Sequence, residues 1–249
     1  MTKKLILHWL NYSRSQRVVV LLEKLKVPYE IKVYERTKEF RAPKELEKIH
    51  PLGKSPVLEV IDESTNESQI ITETGHIFNY LLKNFDKDHI LTPTDAKQQD
   101  EVDYFLHYSE GTLQPLLVSL LVHGFAKTKA PFGTRFLMGL LVKGIDDQFY
   151  LPELFKNLSY LEEILKNQHE KGSSYFVGSQ LTGADIILSF PLIVNLVENK
   201  RLDAFGTSDL EFAKRYPNIK KWAEFIVKLP DYVKAEEKVA KNKPITPNI

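Results

Sequence analysis

A dense group of hydrogen-bonding side chains lies between the first apolar run of the sequence and its first helical pattern. The segment runs from Asn11 to Arg17 and reads NYSRSQR. Serines at a helix start usually act as caps, because their oxygens accept hydrogen bonds from N–H groups that lack a partner within the helix. A hydroxyl that points away from the helix could instead donate to an anion, helped by the positive end of the helix dipole. The segment therefore predicts either a cap or a site that stabilises an anion.

A second segment, from His50 to Leu58, reads HPLGKSPVL and ends in an apolar run. Pro56 opens the strand predicted from that run, and it restricts Ser55 to extended backbone angles. A proline in this position often follows a cis peptide bond. The free N–H and C=O groups of an extended residue can pair with a peptide-like ligand, as in strand addition. An ordinary turn is the alternative interpretation.

The third segment, Glu73-Thr74-Gly75, lies at the next junction between a strand and a helix. Thr74 is a natural N-cap residue, and an acid precedes it. An acid beside a cap hydroxyl and a helix N-terminus could hold an ammonium group and a carboxylate together. The pattern is common, so by itself it does not identify a ligand.

A fourth motif, Thr182 with Asp185, has the spacing of a capping box, with Asp in place of the more usual Glu. We expect this motif to start a buried helix and to act in folding rather than in chemistry. Pro191 should kink that helix. Its buried face is predicted to comprise Ile186, Phe190, Ile193 and Val197.

The elements that position the first three motifs are predicted from apolar periodicity. Leu5 to Trp9 fits a buried strand, and an alternating pattern that starts at Tyr29 fits a second strand. Two short runs, 57–61 and 69–72, flank a polar stretch and predict a hairpin. The predicted order over residues 1–87 is strand, helix, strand, short helix, two strands and helix, which is an α/β domain.

The pattern changes after residue 87, where a short linker leads into helical spacing that continues nearly to the end. One clear stripe runs along residues 151–165, with leucines at a spacing of 3.6. The region from Phe125 to Gly144 has the least readable pattern, because it is apolar and interrupted by glycines. We therefore predict an all-α domain over residues 95–249.

Composition excludes several classes of function. The 249 residues contain no cysteine, which excludes disulfides, thiolate metal sites and a cysteine nucleophile, and favours a reducing compartment. The 34 basic and 33 acidic residues nearly cancel, and no basic run stands out, so no nucleic-acid partner is expected. The apolar run at Leu5–Leu10 is too short for the core of a signal peptide, so we expect an intracellular, cytoplasmic protein.

In this order and at this spacing, the four motifs resemble those of the glutathione transferases, particularly the ascomycete yeast members. The resemblance covers nearly the whole chain and implies a thioredoxin-like N-terminal domain (βαβαββα) followed by an all-helical domain. Because the chain has no cysteine, it implies a hydroxyl-activated enzyme rather than one of the cysteine-type classes. The segments that carry the resemblance are 40–43, 49–58, 108–111 with 114–115, and 181–192.

The resemblance implies how glutathione, the cosubstrate, would be held, without any metal. In the family the proline at the position of Pro56 is cis, and the backbone at Ser55 pairs with the cysteinyl part. Glu73 and Thr74 match the acidic and hydroxyl pair that holds the γ-glutamyl group. Two basic side chains match positions near the glycyl end, namely Lys54 and Arg41.

The same resemblance leaves several candidates for the group that stabilises the thiolate of glutathione. Ser13 precedes Arg17 by four residues, which is the spacing of the serine-type classes, so it is the first candidate. Ser15 is the second. Tyr12 and Asn11 remain alternatives, as does activation by the backbone and the helix dipole.

The site for the second substrate is expected between the domains, where ligand clefts often form. Its candidate walls are Trp9, Tyr104, Tyr108 and Leu113, with Leu10 and Leu117 as further candidates; each could also be ordinary core. The family is typically homodimeric. The apolar run from Leu116 to Val122 could line the acceptor pocket, form core, contact a second copy or touch a membrane surface, so association with an internal membrane stays open.

The expected activity is conjugation of the glutathione thiolate to small hydrophobic electrophiles, with reduction of organic hydroperoxides as a related activity. The alternative is a non-catalytic module with the same fold that binds glutathione or regulates a partner. Retention of Ser13, Arg41, Lys54, Glu73 and Thr74 argues for the enzyme.

Overall fold

The computed structural model describes residues 3–198, 208–242 and 244–245. They form two compact units, one from the described residues of Met1–Thr94 and Ile226–Ile249, the other from those of Asp95–Phe225. The chain's C-terminal segment thus groups with the first unit, whereas the sequence pattern placed it with the second domain. The physical reason lies in its last helix, which packs on the first.

The first unit has the predicted thioredoxin-like order. Its elements are β1 (Lys3–Leu10), α1 (Ser15–Leu25), β2 (Glu30–Tyr34), β3 (Val57–Asp62), β4 (Ser68–Thr72), α2 (Thr74–Phe85) and β5 (Pro244–Ile245). A 3₁₀ turn at Lys44–Lys48 replaces the short helix expected there. The sheet has the strand order β4-β3-β1-β2-β5, in which β1 pairs in parallel with β2 and antiparallel with β3, and β3 pairs antiparallel with β4. The short edge strand β5 is parallel to β2.

The register of the sheet brings the first three motifs to one end of it. His8, near the end of β1, lies opposite Val57 at the start of β3. Val57 in turn lies opposite Thr72, the last residue of β4. The segments that follow β1, precede β3 and follow β4 therefore leave the sheet at the same edge. Residues Leu5 and Leu7 of β1 are fully buried, so this strand is fixed in the core.

The last helix, α10 (Pro230–Lys241), lies against α1 in the first unit. Lys238 pairs with Glu23 at 3.4 Å, and Lys24 pairs with Asp231 at 3.5 Å. Lys238 also lies 3.7 Å from the centre of the Tyr29 ring, a cation–π contact. These contacts explain why the C-terminal helix belongs to the first unit.

The second unit is all-helical over its described residues, as expected. Three π-helical segments occur, Ser109–Leu113, Asp146–Tyr150 and Phe190–Glu198. The third begins where Pro191, which has no N–H to donate, was expected to disturb the helix. The α-helices are α3 (Ala96–Tyr108), α4 (Gln114–Lys129), α5 (Arg135–Ile145), α6 (Leu151–Glu170), α7 (Gly183–Ser189), α8 (Asp209–Arg215) and α9 (Pro217–Ile226).

The capping box at the start of α7 is formed as the sequence predicts. The Asp185 carboxylate accepts hydrogen bonds from the N–H and the hydroxyl of Thr182 at 3.0 and 3.1 Å. It also accepts from the Phe176 N–H at 2.9 Å and from the Trp222 indole at 3.0 Å. Burial raises the pKa of Asp185 to about 6, although these four hydrogen bonds act in the opposite direction. Ile186, Phe190 and Ile193 are buried as expected, and the Val197 side chain lies outside the described residues.

Among the described residues, none of the helices combines the length and the apolar character that crossing a membrane requires.

Candidate functional site

A cleft in the first unit opens at the sheet edge where the three motifs meet. Five of its lining residues were predicted as binding residues: Lys54, Ser55, Pro56, Glu73 and Thr74. Four were not, and they come from the same motifs or their neighbours: Arg14, His50, Leu52 and Thr72. The structure therefore brings together segments that are up to 60 residues apart in sequence.

The loop before β3 is held in a fixed shape. The Ser55–Pro56 peptide bond is cis, as the resemblance implied. The Ser55 hydroxyl donates to the backbone oxygen of His8 at 2.8 Å, which fastens the loop to β1. Gly53 has a φ of +56°, and a Cβ there would come 2.8 Å from Cγ of Glu47, so both the backbone angle and the space favour glycine.

The start of α2 presents its polar groups to the cleft. Thr74 is 2% exposed, and the preceding Glu73 is exposed, with a φ of +64°. A residue other than glycine in this region of φ carries strain, and such strain is concentrated at ligand sites. The N-cap residue of α2 is Glu73 rather than the expected Thr74, which is the first residue of the helix, and the Glu73 side chain forms no cap. The first N–H groups of α2 therefore lie at the positive end of the helix dipole without a cap from that side chain.

The two serines before α1 differ in their surroundings. Ser15 is fully buried, and its hydroxyl both accepts from the Leu10 N–H and donates to the Leu10 oxygen, each at 3.2 Å. Ser13 is 7% exposed, and its oxygen lies 2.5 Å from that of Ser15. Either hydroxyl can be the donor in this contact, and the Ser13 oxygen also accepts from the Ser15 N–H at 3.2 Å. Ser15 is bonded to both backbone groups of Leu10, so Ser13 is the serine with fewer partners in β1.

The two other candidates for thiol activation have different environments. The Asn11 side-chain oxygen accepts from the Arg36 N–H at 2.9 Å, which commits it to the loop after β2. Tyr12 has a φ of +51° and is 60% exposed, and its ring stacks on Phe40 with 5.9 Å between centroids. None of the four candidates, Ser13 and Ser15 included, is among the residues that line the cleft, whereas Arg14 between the two serines is.

Arg41, the predicted partner of the glycyl carboxylate, is exposed and does not line the cleft. Its backbone oxygen accepts from the Thr37 N–H at 2.9 Å, and its own N–H donates to the Thr37 hydroxyl at 3.3 Å. The backbone of this turn is thus fixed, while the guanidinium is at the surface. Sequence reasoning did not select Arg14 for the cleft, although it lies between the two serine candidates.

The charges that line the cleft are mostly positive. Arg14 and Lys54 carry one positive charge each, His50 adds an imidazole, and Glu73 is the single carboxylate among the nine lining residues. A ligand with two carboxylates and one ammonium group matches this arrangement. The chemistry offered is therefore binding of a small zwitterionic peptide, with hydroxyl and helix N-terminal donors beside it.

The predicted acceptor residues lie in both units, and each is described within its own. Trp9 is partly buried in the first unit, and its indole donates to Gln16 at 3.0 Å. Tyr104 is 46% exposed and stacks on Tyr108, whose hydroxyl donates to Asn157 at 2.6 Å. Burial raises the pKa of Tyr108 above its usual value, so this phenol stays protonated. Leu113 is fully buried.

No cluster of three or more His, Asp or Glu side chains that could hold a metal ion occurs within the part of the chain that the structure describes.

Comparison with known proteins places this chain in a family. The N-terminal domain model of glutathione S-transferases matches residues 5–83, and the C-terminal domain model matches residues 146–230. Glutathione S-transferase 1 of Saccharomyces cerevisiae is 38% identical over 93% of this chain and 93% of its own length. Glutathione S-transferase 3 of Schizosaccharomyces pombe is 32% identical over 96% of this chain and 89% of its own.

A solved structure agrees with these relatives. The crystal structure of a glutathione S-transferase from Actinobacillus pleuropneumoniae superposes with a TM-score of 0.69 at 30% identity. The superposition covers 95% of this chain and 93% of the chain in that crystal structure. The sequence motifs, the sheet topology, the cleft and these relatives lead to one assignment, in which glutathione is the cosubstrate: the chain belongs to the glutathione S-transferases of the yeast type.

Proposed function

We propose that this transferase binds glutathione in the cleft of its first unit and that Ser13 stabilises the thiolate for attack on small hydrophobic electrophiles. The observation that carries the proposal is the convergence of Lys54, Ser55, Glu73 and Thr74 on one cleft, beside a cis Ser55–Pro56 bond. These residues suit the two carboxylates, the ammonium group and the backbone of glutathione.

Each end of glutathione has a partner of suitable chemistry. Glu73 is suited to the ammonium group of the γ-glutamyl residue, and the Thr74 hydroxyl with the first N–H groups of α2 is suited to its carboxylate. The extended backbone of Ser55 pairs with the cysteinyl residue as an added strand would. Lys54 is suited to the glycyl carboxylate, and Arg41 reaches the same carboxylate only if its exposed side chain turns towards the cleft.

Stabilising the thiolate does not require a general base. A free thiol has a pKa near 8.5, and lowering it by about two units requires roughly 2.7 kcal/mol of differential stabilisation. A hydrogen bond to a charged group contributes about 1.5–3 kcal/mol, and a helix N-terminus contributes about 0.3–1 kcal/mol. The Ser13 hydroxyl and the start of α1 together supply this amount, and Ser13 donates its hydrogen without ionising.

The experiment compares Ser13→Ala with Ser15→Ala. With Ser13→Ala we expect the pKa of the bound thiol, measured by thiolate absorbance, to rise by about 1–2 units, because one hydrogen bond to the anion is lost. The kcat/KM for a chromogenic electrophile near pH 6.5 should fall about 10- to 100-fold. With Ser15→Ala we expect reduced stability instead, because Ser15 is buried and bonded to β1.

Ser208→Ala is the matched control, because Ser208 is an N-cap serine in the other unit. An unchanged thiol pKa and unchanged turnover in Ser13→Ala would remove Ser13 from this role, and the same change in Ser15→Ala would transfer the role to Ser15. If the wild type binds glutathione tightly but turns over neither an electrophile nor a hydroperoxide, the non-catalytic alternative is correct.

The same thiolate can reduce organic hydroperoxides. Its sulfur attacks the terminal peroxide oxygen, the O–O bond breaks, and an alcohol and the sulfenic acid of glutathione form. A second glutathione then attacks that sulfur, so that glutathione disulfide and water are released. The balance between this activity and conjugation depends on the acceptor pocket, for which Trp9, Tyr104 and Tyr108 remain the proposed walls and the buried Leu113 its support.

Two further parts of the proposal concern assembly and location. A homodimer is supported by the family, and light scattering tests it by measuring the mass in solution. A mass of 28.8 kDa, which is that of one chain, would contradict the homodimer.

An intracellular, cytoplasmic location is supported by the absence of cysteine from the sequence. Imaging of a tagged chain in fungal cells tests the location.

A further inference from the structure

The turn between β1 and α1 is built by its two serines. The Ser15 hydroxyl bonds to the N–H and the oxygen of Leu10, each at 3.2 Å, which folds the turn back onto the end of β1. The Ser13 side-chain oxygen accepts from the Ser15 N–H, also at 3.2 Å. Arg14, between the serines, is the N-cap residue of α1, and its side chain forms no cap. The serines thus fix the backbone on both sides of Arg14, and the helix starts without its guanidinium.

Arg14 is the residue that this turn contributes to the cleft of the first unit. The other lining residues come from the loop before β3, from the end of β4 and from the start of α2. Among the nine lining residues, Lys54 is the only other one with a permanent positive charge, and Glu73 is the single carboxylate. An arginine is not needed to build the turn, so its place in the cleft requires a separate explanation.

The strand order sets where each part of glutathione lies along this edge of the sheet. Strands β4, β3 and β1 are neighbours in that order, and neighbouring strands are about 4.8 Å apart. The groups proposed for the γ-glutamyl end follow β4, and Ser55, proposed for the cysteinyl backbone, precedes β3. The Ser55 hydroxyl donates to the His8 oxygen of β1 at 2.8 Å, so the cysteinyl residue lies next to β1. With the γ-glutamyl group on the β4 side, the thiol lies on the β1 side, where Arg14 lines the cleft.

A guanidinium beside the thiol favours the thiolate over the neutral form. An opposite charge within about 4–6 Å lowers the pKa of an acid by about 1–3 pH units, and arginine keeps its charge at every pH at which enzymes work. Competition from carboxylates is small, because Glu73 is the single one in the lining and is proposed to pair with the ammonium group of glutathione. The charge next to the sulfur therefore stays positive when the ligand is bound.

The alternative role for Arg14 is to bind a carboxylate of glutathione, which the forked guanidinium fits well. Both carboxylates already have proposed partners, at Lys54 and at Thr74 with the start of α2. These partners adjoin β3 and β4 rather than β1. A thiolate is a single atom, so it requires a positive charge but not a fork, whereas a carboxylate benefits from both. This difference makes the two roles separable by experiment.

We propose that the Arg14 guanidinium contacts the sulfur of bound glutathione and stabilises the thiolate by its charge, so that Arg14 is a catalytic residue of the conjugation reaction. The inference rests on the proposed placement of glutathione in this cleft. It holds whether or not Ser13 also donates a hydrogen bond to the same sulfur, because a charge and a hydrogen bond act independently on the anion.

The first measurement follows the absorbance of the bound thiolate against pH in the wild type, Arg14→Gln and Arg14→Lys. Arg14→Gln should raise the pKa of the bound thiol by about 1–3 pH units, because the neighbouring charge is lost. Arg14→Lys should keep at least about half of the effect, since an ammonium group supplies the same charge.

The pH profile of turnover gives a second signature. In Arg14→Gln, kcat/KM for a chromogenic electrophile should fall about 10- to 1000-fold near pH 6.5, because less of the bound thiol is ionised. Above the raised thiol pKa it should recover to within about fivefold of the wild type. A purely structural loss would lower kcat/KM at every pH.

A third measurement uses S-methylglutathione, which has both carboxylates and the ammonium group but no ionisable thiol. Its dissociation constant, measured by calorimetric titration, should change less than about threefold in Arg14→Gln, and this binding also shows that the variant folds. The matched control is Lys26→Gln, because Lys26 is an exposed cation at the opposite end of α1. It should change neither the thiol pKa nor turnover.

Contrary results separate this inference from the function on which it rests. If the wild type binds neither glutathione nor S-methylglutathione, the cleft is not the glutathione site and both proposals fail. If the wild type binds both and Arg14→Gln leaves the thiol pKa unchanged, only the role of Arg14 is overturned. A loss of S-methylglutathione affinity of tenfold or more, with that pKa unchanged, would assign Arg14 to a carboxylate. If Arg14→Lys behaves like Arg14→Gln, charge is not what acts on the sulfur, and the inference is wrong.

Discussion

The start of α2 in the first unit and the start of α7 in the second share a threonine followed by a glycine, but their surroundings are opposite. At α7, the carboxylate of Asp185 accepts four hydrogen bonds and is fully buried. At α2, the N-cap residue is Glu73, whose side chain forms no cap and is exposed at a φ of +64°.

The difference shows how similar helix starts acquire different roles. At α7, the protein itself supplies a negative charge to the helix N-terminus and surrounds it with donors, so that helix start stabilises the fold. At α2, the protein leaves the N-terminal donors and the Thr74 hydroxyl facing a cleft that contains Arg14 and Lys54. Here the negative charge is expected to come from the ligand, so that this helix start binds rather than stabilises.

The largest loss of stability is expected from Asp185→Ala at the start of α7. The substitution leaves the buried Phe176 N–H and the Trp222 indole without an acceptor and removes the cap of α7. We expect the free energy of unfolding to fall by about 3–4 kcal/mol, measured by urea unfolding.

The control for this substitution is Asp95→Ala, because Asp95 is an exposed N-cap whose carboxylate accepts from the Gln98 N–H at 3.0 Å. It should cost about 1 kcal/mol, as exposed caps usually do. Equal losses for the two substitutions would mean that burial adds nothing at Asp185, and the contrast between α7 and α2 would then have no energetic basis.

A smaller effect concerns pH. Burial raises the pKa of Asp185 in the folded state to about 6, above a value near 3.9 for an unfolded aspartate. The folded state then binds the proton more tightly, so this group adds stability that is fully present below about pH 4 and is lost as the pH rises through about 6. The stability of the wild type relative to Asp185→Asn should therefore fall by about 2 kcal/mol between pH 4 and pH 7.

Urea unfolding of the wild type and the Asp185→Asn protein at several values of pH measures this difference. A relative stability that instead increases with pH would show that the four hydrogen bonds outweigh burial and hold the carboxylate ionised. The start of α7 would then resemble an anion site that is permanently filled by its own side chain.

Sequence reasoning located both helix starts because their signals are local. A threonine before a glycine, a proline before an apolar run and an acid at capping-box spacing each restrict the backbone of a few adjacent residues. The hairpin of β3 and β4 was predicted, but the register that joins Val57 to His8 and Thr72 was not, and it is this register that places Ser55 and Thr74 at one edge. Pairs such as Lys238 with Glu23 gave no such signal, so the packing of α10 on α1 was missed.

The segment that contains α4 and α5 was hard to interpret from the sequence for a physical reason. Periodicity identifies a helix through the contrast between an apolar inner face and a polar outer face, and α5 lacks that contrast because Phe136 and Leu140 are exposed while Val142 is buried. Arg14 was missed for another reason. A charged residue between two serines is typical of an ordinary helix start, and only the fold shows that Arg14 lines the cleft.

The smallest effect belongs to Thr74→Val, which removes the hydroxyl at α2 and keeps nearly the same volume. If the hydroxyl serves the ligand, the dissociation constant of glutathione should rise about tenfold, because a hydrogen bond to a carboxylate is worth about 1.5 kcal/mol. The free energy of unfolding should change by less than about 1 kcal/mol, because valine keeps the shape of the buried side chain and the hydroxyl is not the cap of α2. Thr74→Ser should keep the affinity. Calorimetric titration with glutathione measures the dissociation constants of the three proteins, and urea unfolding measures their stabilities. A loss of stability with unchanged affinity would show that the Thr74 hydroxyl stabilises the fold, as the start of α7 does, rather than the ligand.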